Sequence, residues 1–317
     1  MPSLKNMNKK ILFVVGVIII IGLVLFAIIN ITQNQKSDSS KISVVTTLFP
    51  LYDFSKVIGQ DKVEVSLLLP PGVEAHVYEP KPSDIVKINE SDIFVYTGEF
   101  MEPWAKDIIN GITNKDVRFV DTSKGINLMK LTEGMPDEAH GLDPHIWLDF
   151  ANNTIMVDNL LNAIIEKDPD NADFYKKNAN DFKNKLTQLD DQYKSGLTNC
   201  QSKEIVYGGH YAFGYLANRY NLKYLAAQGL APDSEPSAND LVNLTKQIKD
   251  NNIKYVFYEE LTSPKIAQTL ANETNAKMLL LNAAHNVTKE DIDNNVSFLS
   301  IMEENLNNLK IGLECNR

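Results

Sequence analysis

Eight short apolar runs, each bounded by turn or helix signals, constrain this chain more than any other feature. Four lie in the first half, at Ile42–Leu48, Val63–Leu69, Ile93–Thr97 and Val117–Val120. Four lie in the second, at Glu204–Tyr207, Lys223–Ala226, Tyr255–Tyr258 and Met278–Leu281. Runs this short and this rich in Val, Ile and Leu read as strands buried on both faces, as in parallel sheets. Helical patterns separate them. The expected class is therefore α/β, with two βα lobes, each built on a mainly parallel four-stranded sheet. The two halves repeat an architecture without repeating residues.

Between the halves, Asp170 to about Leu197 contains no proline, and its one glycine, Gly196, stands near the end. Phe174, Phe182, Leu186, Leu189, Tyr193 and Leu197 mark one helical stripe, and Asp168-Pro169-Asp170 supplies a start signal. This predicts one long, rigid helix joining the lobes, with little hinging; a helix wholly inside one lobe is the alternative. The expected divisions are an N-terminal segment and linker at 1–40, a first lobe at 41–168, the linking helix at 169–198 and a second lobe at 199–317.

Ile11–Ile29 is an unbroken stretch of 19 apolar or glycine residues, preceded by Lys5, Lys9 and Lys10. At about 1.5 Å per residue it nearly spans a hydrocarbon core of about 30 Å. The positive flank keeps that end cytoplasmic, so the body lies outside the membrane. An uncleaved anchor is the first reading and a cleaved signal peptide the second, in which case the body is secreted; no Ala-x-Ala site follows the stretch. No cysteine follows it closely either, which excludes lipid attachment at that point. The formal net charge is −10, and the body beyond residue 40 is more acidic still. A phosphate backbone would be repelled, so nucleic acid is not an expected partner and small cations are. Export permits disulfides. Cys200 and Cys315 are the only cysteines, and one bridge between them is the simplest use of both, two unpaired thiols being the alternative.

Five histidines occur: His76, His140, His145, His210 and His285. In open parallel sheets, ligands bind beyond the carboxyl ends of strands. His76, His210 and His285 each follow a predicted strand by a short loop, and His145 lies between the first lobe's last strand and the next helix. If the lobes face each other, two imidazoles from each meet in the cleft. Neutral imidazole favours Zn²⁺, while Mn²⁺ and Mg²⁺ prefer carboxylate oxygen.

Four stretches carry a resemblance: Gly72-Val73-Glu74-Ala75-His76-Val77-Tyr78-Glu79-Pro80, Asp143-Pro144-His145-Ile146-Trp147-Leu148-Asp149, His210-Tyr211-Ala212-Phe213-Gly214-Tyr215-Leu216-Ala217 and Glu235-Pro236-Ser237. Through them the chain resembles the metal-binding components of ABC importers for zinc and manganese, also called metal-binding adhesins, from about residue 42 to 313. The resemblance implies two βα lobes joined by a rigid helix, with metal held in the inter-lobe cleft. It implies that His76, His145 and His210 are ligands. Manganese-type members carry glutamate where this chain has His210, so the site resembles the zinc type, with Mn²⁺ as the alternative ion. Many relatives place an acid right after the last strand, where Asn282 stands here. An amide binds zinc weakly, so His285 is the expected fourth ligand; water, Glu74, Glu259 and Glu260 are the alternatives, with Glu74 also read as a supporting carboxylate. Phe150 replaces a proline common in the family, which should alter only a helix start. The short loop Leu131–Leu142, with Asp137, Glu138 and His140, stands where some zinc-type relatives carry a His-rich segment. Trp147, Tyr207, Tyr211 and Phe213 read as packing.

The resemblance implies capture without catalysis: a monomer that takes up Zn²⁺ outside the cell and delivers it to an ABC permease with its ATPase. A zinc hydrolase would need three protein ligands, an activated water and a general base such as Glu74 or Glu259. No HExxH motif is present. An adhesive surface protein is the third reading.

Overall fold

The computed structural model describes residues 41–131, 141–230 and 236–315. The apolar stretch Ile11–Ile29 and the candidates Asp137, Glu138, His140 and Glu235 lie outside the described residues. In the first sheet, β1 (Ile42–Thr46), β2 (Val63–Leu67), β3 (Ile93–Tyr96) and β4 (Arg118–Asp121) run in the order β2-β1-β3-β4. In the second, β5 (Glu204–Tyr207), β6 (Lys223–Ala226), β7 (Tyr255–Tyr258) and β8 (Lys277–Leu280) run β6-β5-β7-β8. Every pairing is parallel. The class is α/β, and the two sheets share one strand order.

Three first-lobe strands end one or two residues before their apolar runs do. Leu48, Leu68 and Leu69 have left the ladder, yet all three stay buried as the chain turns off the sheet. Apolarity reports burial; strand pairing is a separate matter.

Around the first sheet lie α1 (Phe49–Gly59), α2 (Pro82–Asn89) and α3 (Ala105–Gly111), followed by α4 (Phe150–Lys167). Then comes α5 (Ala172–Gly196), the long helix expected between the halves. It starts two residues later than its signal suggests because Pro169–Asn171 forms a 3-10 turn. Asp168 spends its carboxylate on Tyr175 and Asn171. Around the second sheet lie α6 (Gly214–Arg219), α7 (Ala238–Asp250), α8 (Lys265–Thr274), α9 (Lys289–Asp293) and α10 (Phe298–Gly312).

A single apolar cluster runs through both lobes and α5. At its centre Phe54 of α1 meets Phe182 of α5 and Phe298 of α10, with ring centroids 5.2 Å apart in both pairs. All three rings are essentially buried. Side chains of this kind contribute about 1.5–3 kcal/mol each, so separating the lobes would expose several at once. Polar ties reinforce the contact. Phe298 N donates to Asp53 of α1, the Tyr193 hydroxyl donates to the Met302 carbonyl, and the Trp147 indole donates to the Ala283 carbonyl at 2.8 Å. Near the chain end, the sulfurs of Cys200 and Cys315 lie 1.96 Å apart, at bonding distance.

Candidate metal centre

Each candidate imidazole is held by its own local device. After β2 the chain turns through Pro70-Pro71-Gly72, where Gly72 adopts φ +79°. The Glu74 carboxylate then accepts the backbone N–H groups of His76 (2.7 Å) and Val77 (3.3 Å), fixing the turn that presents His76. Asp143 does two things for His145. Its Oδ1 accepts the backbone N–H at 3.0 Å and Nδ1 at 2.7 Å. Glu259, the first residue after β7, does the same for His210, accepting its backbone N–H at 3.2 Å and Nδ1 at 2.6 Å. The two glycines before His210 permit this approach. A Cβ on Gly209 would lie 2.4 Å from the Glu259 carboxylate, and one on Gly208 would lie 2.5 Å from the Ala267 side chain.

His285 stands on the loop after β8. Asn282 accepts the Ala284 N–H, Glu260 accepts the Ala283 N–H, and Ala284 sits at φ +58°. The Trp147 ring lies beneath this loop, 5.1 Å from the His285 ring and 5.5 Å from that of His145. Trp147 packs and orients, as do Tyr207, Tyr211 and Phe213, which meet one another or Tyr224 edge-on or tilted.

The four imidazoles from the two halves of the chain meet. All six ring-centroid distances among His76, His145, His210 and His285 fall between 5.0 and 5.3 Å, a nearly regular tetrahedron. One nitrogen from each lies within 4.8 Å of all the others. Two nitrogen pairs are closer: His76 Nε2 to His145 Nε2 at 3.2 Å and His210 Nε2 to His145 Nε2 at 3.3 Å. Four nitrogens around zinc at about 2.0–2.1 Å would stand roughly 3.3 Å apart.

Proton placement sharpens this. With Nδ1–H given to a carboxylate, the neutral form of His145 or His210 presents its Nε2 lone pair to the cluster. Two lone pairs facing across 3.3 Å repel unless a cation lies between them. His285 Nε2 is buried without a hydrogen-bond partner. Burial first, and then the repulsion that the other imidazoles of the cluster would exert on a second proton, push His76, His145 and His285 well below the ordinary histidine value, so they are neutral at pH 7. Burial lifts Asp143 to about 8, an effect that a bound dication would oppose.

The other ligand candidates stand behind the histidines. Glu74 and Glu259 hold backbone and ring nitrogens. Glu260 lies 3.8 Å from His285 Nδ1, and burial, followed by the charge of Glu259, raises it to about 8. The Asn282 side-chain oxygen is spent on Ala284, and its backbone exchanges hydrogen bonds with Asn305. Sequence reasoning quoted Asp143 without giving it a task, although an Asp two residues before a His, across a proline, is compact enough to suggest one. Phe150 does begin α4, capped by Asp149, and its ring packs edge-on against Tyr193 of α5.

Comparison with known proteins identifies the family. Residues 44–312 match the family model described as the zinc-uptake complex component A, periplasmic. The high-affinity zinc uptake system protein ZnuA of Bacillus subtilis is 39% identical over 291 residues, covering 88% of this chain and 90% of that protein. The zinc-binding lipoprotein AdcA of Streptococcus pneumoniae is 36% identical over 286 residues; the match covers 88% of this chain and 57% of that longer protein. The Zn(II)-bound ZnuA-like domain of the same AdcA superposes with a TM-score of 0.75 at 35% identity, covering 87% of this chain and all of that domain. The laminin-binding protein Lmb of Streptococcus agalactiae, described as having adhesin and metal-transporting activity, gives a TM-score of 0.77 at 30% identity over 86% of this chain and all of that one. The chain thus belongs to the zinc-uptake component A family, whose members are binding proteins of ABC importers and not enzymes.

Proposed function

We propose that His76, His145, His210 and His285 together bind Zn²⁺ as cargo, and that the chain hands this ion to an ABC permease driven by its ATPase. The tetrahedral arrangement of the four rings carries this reading. The centre of such a tetrahedron lies about 3.2 Å from each centroid, which is a Zn–N bond plus the roughly 1.1 Å from ring nitrogen to ring centre. Four nitrogen donors saturate zinc and leave no position for an activated water, so the arrangement suits capture and not hydrolysis. Manganese, which prefers oxygen, would find none within this shell.

The lobes in this reading are 41–168 and 199–317, joined by 169–198, and the working unit is a monomer. Residues 11–29 tether the body outside the membrane, which raises its effective concentration near the permease. Cys200 and Cys315 form a disulfide once the body is outside. The likeness to Lmb supports a second role in surface attachment; binding to immobilised laminin with the zinc site intact and with His210 replaced would separate that role from transport.

The primary test is anomalous scattering at the zinc edge from metal-loaded crystals, which should place one ion with four nitrogen neighbours. Calorimetry on His210→Ala should show zinc affinity reduced at least about 100-fold, since one of the four zinc nitrogens leaves together with the ring that Glu259 holds. Unchanged affinity would remove His210 from the site. An ion bound elsewhere on the body would sink the assignment altogether.

A further inference from the structure

The loop carrying His285 belongs to the second half of the chain but is hydrogen-bonded to the first. Phe49 N donates to the His285 carbonyl at 3.1 Å, and Gly72 N donates to the Val287 carbonyl at 3.0 Å. Between them, the side-chain amide of Asn286 donates to the carbonyls of Pro70 (2.7 Å) and Val73 (2.9 Å). Its oxygen accepts the Val287 N–H at 2.8 Å. Asn286 is 1% exposed, so these bonds form away from water. Residues 70–73 are the turn that leads from β2 to His76, closed by the Val73 N–H on the Pro70 carbonyl. One side chain thus ties the neighbour of His285 to the turn that presents His76.

The chemistry at this point is selective. Two carbonyls facing one buried side chain need two N–H donors on a short stem, plus an acceptor for Val287. Asparagine supplies all three. Aspartate has no donor when ionised, serine and threonine have one, and glutamine is a methylene too long.

We propose that Asn286 is a positioning residue for zinc capture, holding the His285 loop on the His76 turn so that imidazoles from the two lobes stand at tetrahedral spacing before the ion arrives. This rests on the reading of the four histidines as the zinc site. Without the amide, the two loops must be ordered by the metal itself, and that entropy is subtracted from the affinity. Loss of supporting hydrogen bonds around a metal typically lowers affinity about 10–100-fold.

The test is a double-mutant cycle on the full chain in detergent, with zinc affinity read by competition against a chromogenic chelator. Asn286→Ala should weaken zinc about 10–100-fold, whereas the same change in a His285→Ala background should cost less than about threefold. Cobalt(II) gives a second readout. Wild-type protein should show the intense visible bands of a tetrahedral site, and Asn286→Ala should shift those bands in position and intensity in the direction that His285→Ala shifts them. Thermal unfolding without metal checks that each variant folds; should alanine fail, Asn286→Ser keeps one donor and should give an intermediate loss. Unchanged affinity in Asn286→Ala, or an equal loss in both backgrounds, overturns the inference while leaving the zinc site standing. Wild-type protein without tetrahedral cobalt bands brings down the zinc reading and this inference with it.

Discussion

Buried carboxylates do different work at different residues. Asp143 and Glu259 each lock one imidazole by its backbone and its ring nitrogen. Replacing Glu259 with alanine frees the His210 ring, and zinc affinity should fall about 10–100-fold by chelator competition while Glu74→Ala, which loosens only a backbone turn, costs less. Glu102 is buried at the carboxyl ends of β1 and β3, where it accepts Thr47 Oγ1 and the N–H groups of Thr97 and Gly98. Burial outweighs these bonds and lifts its pKa from 4.5 to about 7. Its folded state therefore holds a proton that the unfolded state releases. The resulting stability is full below about pH 4.5 and is lost as pH rises through about 7. Metal-free protein should lose up to about 3 kcal/mol from this group across that window, and Glu102→Gln should flatten the curve of denaturant midpoint against pH. His76, His210 and His285 were legible in sequence because each follows a strand by a short loop, whereas His145, well beyond β4, stood out through the Asp143–Asp149 stretch. Asn286 and Glu102 were not, because Asn286 bonds to residues more than 200 positions away, and Glu102 pairs with Thr47 across 55.

At the scale of elements, loops after strands carry the site, and helix starts hold the loops in place. The guanidinium of Arg219, at the end of α6, takes Asp190 of α5 with two nitrogens and Asp149, the cap of α4, with a third. Three helices are pinned beside the segment that carries His145. Burial works to raise Asp190, but hydrogen bonds from Arg219, Lys194 and Tyr220 outweigh it and hold the carboxyl at about 2. Arg219→Met should leave Asp149 without its ion pair and Asp190 with only Lys194 and Tyr220, and lower stability by about 1–3 kcal/mol in denaturant titration. Because the folded pKa of Asp190 is depressed, the wild-type advantage should persist above pH 3.8 and fade as pH falls towards 2. The sequence pattern located all eight strands but overran four of their ends, since a leucine buried under a loop reads like one in a ladder.

For the molecule as a whole, the continuous core through α1, α5 and α10 opposes lobe separation. Cys200 and Cys315 are 115 residues apart in sequence, so a bridge between them closes nearly the whole second half of the chain. On the proposal that it forms, replacing both cysteines with serine should lower stability by about 2–4 kcal/mol, measured as a shift in unfolding midpoint, while zinc affinity stays within about twofold. An equal loss of affinity would show that the second lobe's end reaches the site. Periodicity, strand-end position and residue type by themselves determined the α/β class, the two-lobed plan and the long helix between the halves, and singled out the four imidazoles as candidates, because each of these is written within a few tens of residues. Only the tertiary structure decided which carboxylate holds which ring, that Asn282 is turned to its own loop, and that the His285 loop is fastened to the other lobe. Those pairings depend on side chains brought together by packing from distant parts of the chain, and no local pattern encodes such distances.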